Sequence, residues 1–459
     1  MTDILEYVLL PRSHQLEEIF ESNDAEAFRR FLEAAGGKQL APPVPIVFPF
    51  PQFPYVYEGP YPVSPHPSLP KPGPDDPLDP TRRSLALAFD TPADRQAMNA
   101  YLRQIFPNDP HLLIGANIPF EGAEHWCPSD ASEAIFGTRA EAGRLLGLGE
   151  LAVEGALGHD VNVVIVDDGV DKSLLPPGAW GGGWHLLNSP PPGLPSAKRH
   201  GVMVARNVLA AAPQARIFDA PVLPREIEDL PSFLSQAQAL YHQALQDIAA
   251  WRSAGTFTGT WVFVNAWAIY SRDSEFPAGD YTGRLGHPFN RLMRHLSGRG
   301  FDVVFAAGNC GQFCPKQRCG PYDRGPGRSI LGANSHKRVL TAGAVRTDTM
   351  WLGYSSQGPG QPTLGERKPD LCAPSQFSED DSRLANTGTS AACGLTAGVV
   401  TALRQHWGPN SLPPSDLRSH LRLTARRLGG PAWDGRLGNG VLDAAAAWRA
   451  ADALYPKGP

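Results

Sequence analysis

The chain has 459 residues, of which 42% are hydrophobic and 19% are charged. This length suggests about three domains, although a large α/β unit can use more than 250 residues. The net charge is −5, so a polybasic surface for nucleic acid or for an anionic membrane is not expected. No apolar run reaches membrane-spanning length, and the first twenty residues lack a secretory-signal pattern. These features predict a cytoplasmic protein, with an unusual export route left open.

The first 120 residues are predicted to form a mixed α and β region. Residues 14–35 have helical spacing, whereas residues 41–80 hold 15 of the 46 prolines, too many for a helix or a central strand. RSLALAFD and HLLIGANI predict two strands on either side of a helix. The predicted divisions are a helical segment (1–40), a Pro-rich extended segment (41–83) and a small β-α-β region (84–120).

The Pro-rich segment carries more aromatic residues than a solvated linker normally does. They are Phe48, Phe50, Phe53, Tyr55, Tyr57 and Tyr61. Two interpretations remain open. Either the segment packs against its own protein, or it is a docking motif for a protein partner.

Residues 121–459 are predicted to form one α/β domain. From about residue 145, apolar strands such as VNVVIV and DVVFAAG alternate with helical segments such as HGVMVARNVLAAA. Strands that are apolar throughout and alternate with helices indicate a parallel sheet covered on both faces. In such sheets, active sites lie at the carboxyl ends of the strands.

Four polar residues stand after such strands or at the start of helices: Asp167, Asn309, His200 and Ser390. A serine hydroxyl needs a nearby base, usually histidine, and that histidine needs a third group that fixes its tautomer. An asparagine amide can stabilise charge that develops on a carbonyl oxygen. Each residue alone is also typical of a cap or a turn, but their joint occurrence indicates a nucleophilic active site.

The segments around these residues, in this order, resemble the conserved boxes of the subtilisin-like serine proteases (subtilases): VVIVDDGVD, HGVMVA, VVFAAGNCG and GTSAACGLTAG. Three further segments are similar to family segments: YSSQGP, KPDLCAP and GNGVLDAAAA. The resemblance covers the chain from about residue 125 to about residue 450. It implies a three-layer fold with a mainly parallel sheet between helices.

The resemblance also implies the role of each residue. Asp167 would orient His200, His200 would act as general base and then general acid, and Ser390 would attack the scissile carbonyl. Asn309 would hold the oxyanion together with the Ser390 N–H group. No cofactor is required for this catalysis. Structural calcium is common in the family, but no calcium ligand set is recognisable in the sequence.

Other segments bear on substrate binding. WVFVNAWAIYS resembles the family's substrate-pairing strand, which makes Asn265, Ala266 and Trp267 candidate substrate-binding residues, and Trp267 is expected to narrow the cleft. The pair Asp167-Asp168 before glycine also occurs in the kexin-like branch, many of whose members cut after basic residues. Asp323 is the only acidic residue between Cys310 and His336. It either faces a basic substrate side chain or is exposed or paired with a cation.

Three cysteines cluster in the chain, at Cys310, Cys314 and Cys319. Three alternatives remain open for them. They are ordinary thiols, as a reducing compartment favours, or two of them form a disulfide, or they bind zinc with Cys127 or a histidine as fourth ligand.

The sequence therefore predicts a serine endopeptidase that hydrolyses protein or peptide substrates through an acyl-enzyme intermediate. The alternative is a catalytically silent protein on a protease fold, which docks to a partner through its Pro-rich segment. Many subtilases carry an N-terminal propeptide, so residues 1–120 are either a removed propeptide or a permanent packing domain. We expect them to remain attached, with the Pro-rich segment extended along the surface.

Overall fold

The structure is a computed structural model. It describes residues 4–10, 44–45, 55–58, 83–89, 91–106, 112–122, 135–186, 191–196, 199–223, 232–273, 275–312, 318–379 and 385–455. The predicted helix at 14–35 lies outside these ranges, as do Cys127 and Cys314. Within the described ranges, no helix combines the length and the apolarity that crossing a membrane requires.

The described elements are numbered here in chain order. The strands are β1 (Ile4–Leu10), β2 (Val44–Pro45), β3 (Tyr55–Glu58), β4 (Arg83–Phe89), β5 (Leu113–Ala116), β6 (Pro119–Gly122), β7 (Asn162–Asp167), β8 (Trp180–Leu186), β9 (Arg216–Pro221), β10 (Ser232–Phe233), β11 (Trp261–Asn265), β12 (Trp267–Ala268), β13 (Asp302–Ala306), β14 (Leu340–Val345), β15 (Leu371–Pro374), β16 (Phe377–Ser378) and β17 (Ala385–Asn386). The helices are α1 (Pro92–Ile105), α2 (Arg139–Leu146), α3 (Leu148–Val153), α4 (His200–Ala211), α5 (Leu234–Ser253), α6 (Pro288–Gly298), α7 (Gly388–Arg404), α8 (Pro414–Thr424) and α9 (Ala444–Leu454).

The predicted parallel sheet is confirmed. Eight strands lie in the order β15-β14-β13-β11-β7-β9-β8-β3, and the seven from β15 to β8 are parallel. Every residue of β7, β11 and β13 is buried. A strand covered on both faces gains from apolar side chains at every position, which explains the uninterrupted apolar runs in the sequence.

Helices cover both faces of this sheet and complete the predicted three-layer fold. Helices α4 and α7 lie on one face, and α5 and α6 lie on the other. Helices α4 and α7 approach closely because α7 carries Gly394 and Gly398 at their contact. A Cβ atom at Gly394 would lie 2.9 Å from the Val204 carbonyl oxygen, and one at Gly398 would lie 2.6 Å from that of Val208. Larger residues would push the two helices apart.

The N-terminal region packs on the face that carries α5 and α6. Its sheet has the order β2-β4-β1-β5, with antiparallel neighbours. Tyr7 of β1 is fully buried, donates a hydrogen bond to Gln238 of α5 and contacts the His287 ring edge-on. Strand β1 lies within the segment predicted to be helical, so that prediction is wrong for residues 4–10. Its partner strands lie more than 70 residues away, and local spacing carries no signal of such pairing.

Part of the Pro-rich segment is incorporated into the sheets of its own protein. Strand β3 pairs antiparallel with β8 at the edge of the central sheet, and β2 pairs with β4. An edge position suits a chain rich in proline, because only one side of an edge strand needs backbone donors. The described residues thus agree with packing against the same chain.

Candidate active site

The carboxyl ends of β7, β11 and β13 bring the predicted site residues to one edge of the sheet. Asp167 is the last residue of β7, and His200 is the first residue of α4. Asp167 Oδ1 lies 2.5 Å from His200 Nδ1, and both side chains are almost completely buried. A carboxylate at this nitrogen fixes the tautomer that leaves Nε2 as the basic nitrogen of the ring.

Burial raises the pKa of Asp167 to about 6, and the neighbouring His200 opposes that rise. The carboxylate is therefore ionised above about pH 6. Cys393 of α7 lies close by, and burial together with the charge on Asp167 raises the pKa of its thiol, which stays neutral. Asp167 is thus a charge held in a low-dielectric position, where it favours a positive charge on the imidazole.

Ser390 lies in the first turn of α7, which begins at Gly388. It is fully buried, and its hydroxyl donates to the Ala266 carbonyl oxygen at 3.0 Å. The Thr387 N–H just before α7 donates to Met203 Sδ in the first turn of α4 at 3.4 Å, so the two helices begin near each other. Backbone N–H groups in a first helical turn have no acceptor within the helix. Ser390 therefore combines a hydroxyl with donors suited to a developing negative charge.

Asn309 is held in a fixed orientation by Thr389. Its Oδ1 accepts hydrogen bonds from the Thr389 N–H group at 3.1 Å and from the Thr389 hydroxyl at 3.0 Å. The same hydroxyl accepts the Gly308 N–H at 3.1 Å. Because the carbonyl end of the amide is occupied by these donors, the NH₂ end is the one that can serve a substrate oxyanion.

A strand of the N-terminal region lies at the same edge. β6 forms the middle of a three-stranded antiparallel sheet with β10 on one side and β12 on the other. Gly122, at its end, is the backbone partner of Trp267, the residue that follows Ala266. Strand β6 therefore pairs with the segment directly after Ala266, whose carbonyl oxygen accepts the Ser390 hydroxyl.

The site residues fall within the pattern of a known family. The model of the subtilase family (Peptidase_S8) matches residues 158–440, more than half of the chain. The chain belongs to the subtilase family. This match spans Asp167, His200, Asn309 and Ser390, the residues that the sequence motifs had singled out.

Solved structures similar to this subtilase include MycP1 from the ESX-1 type VII secretion system, with 19% sequence identity and a TM-score of 0.44. MycP1 from Mycobacterium smegmatis is similar too, with 20% identity and the same TM-score. Each comparison covers 72% of this chain and 90% of the MycP1 chain. No curated protein matches the subtilase. The family assignment therefore rests on the sequence match.

The three candidate substrate-binding residues differ in what they offer. The Asn265 side chain is buried and accepts a hydrogen bond from the Tyr241 hydroxyl at 2.9 Å, so it braces β11 against α5. Ala266 offers its carbonyl oxygen beside Ser390. Trp267 is fully buried, with its ring centroid 4.1 Å from that of Phe120 in β6. The indole thus lies against β6 and does not protrude to narrow an open cleft.

The loop after Asn309 contains a disulfide between Cys310 and Cys319, whose Cα atoms are 5.9 Å apart. Of the three alternatives for the cysteine cluster (thiols, a disulfide or a zinc site), the structure therefore shows the disulfide for this pair. Sulfur atoms in a disulfide are not thiolates and cannot bind zinc as such. Cys372 and Cys393 are buried free thiols. The Arg318 guanidinium lies 3.7 Å from the Tyr270 ring centroid and bonds to its hydroxyl, so this loop is braced by two contacts.

Asp323 in the same loop is buried and pairs with Arg272, whose Nε lies 2.6 Å from Oδ1. This confirms the interpretation of Asp323 as the partner of a cation.

Among the described residues, the one cluster of three metal-ligating side chains is Asp167, Asp168 and His200. Within this cluster, Asp167 and His200 bind each other.

Sequence reasoning assigned no role to Thr389, to Ser196 or to the Asp168 carboxylate. Thr389 orients Asn309. Its position directly before Ser390 is the signal that could have identified it. Ser196 donates to Asp168 at 2.6 Å from a loop with no recognisable motif.

We expect Asn309→Ala to lower kcat by about 10²–10³ with little change in KM, because the amide stabilises the transition state more than bound substrate. Asn309→Asp should be worse, since it places a negative charge beside the developing oxyanion. Steady-state kinetics on a peptide substrate provides the measurement. Asn290→Ala is the matched control, because Asn290 is buried and braces the Tyr281 and Arg284 carbonyl groups instead. A rise in KM alone would give Asn309 a different role.

Proposed function

We propose that the subtilase is a serine endopeptidase that cleaves proteins or peptides through an acyl-enzyme intermediate. The observation that carries this proposal is the buried Asp167–His200 pair at 2.5 Å, next to the helix turn that presents Ser390. Nothing in this arrangement calls for a cofactor.

In the proposed mechanism, the Ser390 hydroxyl leaves the Ala266 carbonyl oxygen and turns to His200. Oγ attacks the scissile carbonyl carbon while His200 Nε2 takes the hydroxyl proton. Asp167 stabilises the resulting imidazolium. The oxyanion accepts hydrogen bonds from the Asn309 amide and the Ser390 N–H group.

The tetrahedral intermediate then collapses, and the C–N bond breaks as the imidazolium gives its proton to the leaving amine. A water molecule, deprotonated by His200, attacks the acyl-enzyme in the same way. Collapse of this second intermediate returns the proton to Ser390 Oγ and releases the acid product. Atoms and charges balance with one water consumed for each bond hydrolysed.

Ser390→Ala and His200→Ala should each remove nearly all peptidase activity while the fold persists, with losses on the order of 10⁶ in kcat because the triad acts as a unit. Circular dichroism verifies the fold, and a serine-directed fluorophosphonate should label wild type but not Ser390→Ala. In the alternative, the protein is catalytically silent and docks to a partner through its Pro-rich segment. Wild-type protein would then remain unlabelled by the fluorophosphonate and inactive on all peptides. Peptidase activity retained in folded Ser390→Ala protein would exclude the proposed mechanism.

For the N-terminal region, we propose that it stays attached and that β6 holds the place of a substrate strand. Two observations support this. β6 pairs with the strand that the family resemblance assigns to substrate, and β3 anchors the same region in the central sheet. A substrate would then have to displace β6, so the region restrains activity.

We expect wild type and Ser390→Ala each to show the intact mass of its own full-length chain. Phe120→Ala should raise the rate of fluorophosphonate labelling several-fold, because losing a buried aromatic contact costs about 3–5 kcal/mol and loosens β6. Met98→Ala is the control, a buried residue of α1 outside β6. Wild type shortened near residue 122, with full-length mutant, would instead identify a removed propeptide. A labelling rate unchanged by Phe120→Ala would show that β6 does not restrain the site.

For the compartment, we propose an oxidising one in place of the cytoplasm expected from the sequence. Disulfides persist in oxidising compartments and are rare in the cytoplasm, and Cys310–Cys319 lies beside the oxyanion asparagine. Protein isolated from its native source under alkylating conditions should yield a linked Cys310–Cys319 peptide in a non-reducing digest. Recovery of both cysteines alkylated would favour the cytoplasm.

A further inference from the structure

The Asp168 carboxylate is committed to the first turn of the helix that carries His200. Oδ1 accepts the Gly201 N–H at 2.6 Å, and Oδ2 accepts the His200 N–H at 3.2 Å. Oδ2 also accepts the Ser196 hydroxyl at 2.6 Å. The side chain is almost completely buried, so these donors belong to the folded chain and not to solvent.

Helix α4 does not cap itself. The residue before it, Arg199, has φ 55° in the left-handed region, and its side chain makes no capping hydrogen bond. The first N–H groups of a helix need acceptors from elsewhere. Asp168 supplies them from the end of β7, and its negative charge lies at the positive end of the helix dipole.

The approach of Asp168 to the helix depends on glycine at position 201. A Cβ atom there would lie 2.5 Å from the Gly169 carbonyl oxygen and 3.0 Å from Asp168 Oδ1. Because Gly201 has no Cβ atom, the backbone just after β7 can approach the backbone at the start of α4 this closely.

Two neighbouring carboxylates therefore hold one histidine. Asp167 binds the imidazole ring, and Asp168 binds the backbone N–H of the same residue. The Asp168 N–H also donates to Asp167 Oδ1 at 2.8 Å, which ties the two carboxylates to one geometry. Movement of the helix start would shift the His200 ring relative to Ser390.

We propose that Asp168 is a positioning residue for the reaction: by capping α4 from β7 it sets the place of His200, and its charge favours the imidazolium. This inference rests on the proposed peptidase function. Both carboxylate oxygens of Asp168 already accept hydrogen bonds from the chain, so the side chain is committed to this cap.

The charge of Asp168 acts on His200 together with that of Asp167, the other carboxylate of the cluster. Cys393 of α7 lies near Asp167, and burial raises the pKa of its thiol, which stays neutral. Removing a nearby negative charge disfavours the protonated imidazole, so Asp168→Asn should lower the pKa of His200. A cap that acted only on stability would not produce that shift.

The deciding variant is Asp168→Asn, which keeps the shape but turns an NH₂ group towards a backbone N–H. We expect kcat to fall roughly 10- to 100-fold with little change in KM, the loss that a misplaced catalytic group produces. The acidic limb of the kcat/KM profile should move to lower pH. Asp443→Asn is the matched control, because Asp443 caps α9 through the Ala446 N–H, away from the site.

The His200 pKa can also be measured without turnover, by NMR of ¹³C-labelled histidine in Ser390→Ala protein with and without Asp168→Asn. This NMR measurement distinguishes failure of the positioning role from failure of the proposed peptidase function, since it reports on Asp168 even if wild type hydrolyses no peptide. An unchanged His200 pKa with unchanged kcat would overturn the positioning role, and so would a kinetic effect no larger than that of Asp443→Asn.

If Asp168→Asn does not fold, Ser196→Ala decides the question. It removes one of the three donors and keeps the charge. A smaller fall in kcat with an unmoved acidic limb supports the proposal, and wild-type kcat at lowered thermal stability overturns it.

Discussion

The site depends on the close contact between α4 and α7. His200 and Ser390 are 190 residues apart in the chain, and each lies in the first turn of a helix. These two helices pack closely where α7 carries Gly394 and Gly398. The parallel sheet beneath them places Asp167 at the end of β7, where its Oδ1 lies 2.5 Å from His200 Nδ1. Close helix packing therefore contributes to the geometry of the candidate site as well as to stability.

Asp167 and Asp168 are neighbours in the chain, and both carboxylates are buried. Burying two carboxylates is unfavourable unless hydrogen-bond donors surround them. Asp167 is bound by the His200 ring and by the Asp168 N–H, and Asp168 is bound by backbone and hydroxyl donors. The positive end of α4 faces this pair of charges. The cost of burying them is thus offset by the same contacts that orient the histidine.

The central sheet and its helices could be predicted because their signals are local. A buried parallel strand is apolar at every position, and each site residue lies within a few residues of its strand or helix end. Strands β1, β3 and β6 could not be predicted in the same way. Each pairs with a distant segment, so its place depends on tertiary contacts that no local pattern encodes. The Cys310–Cys319 pairing stayed one of three alternatives because free thiols, a disulfide and a zinc site can all arise from the same closely spaced cysteines.

The pairing of β3 with β8 also determines which strand forms this edge of the central sheet. β8 has the sequence WGGGWHL, and three glycines with few side chains to guard the backbone make it a poor edge strand. With β3 in place, the outermost strand comes instead from a segment whose flanking prolines cannot donate to a further strand. The proline-rich character of the segment thus serves as a terminator of sheet growth, and a shortened chain that lacked it would expose a sheet edge open to pairing between molecules.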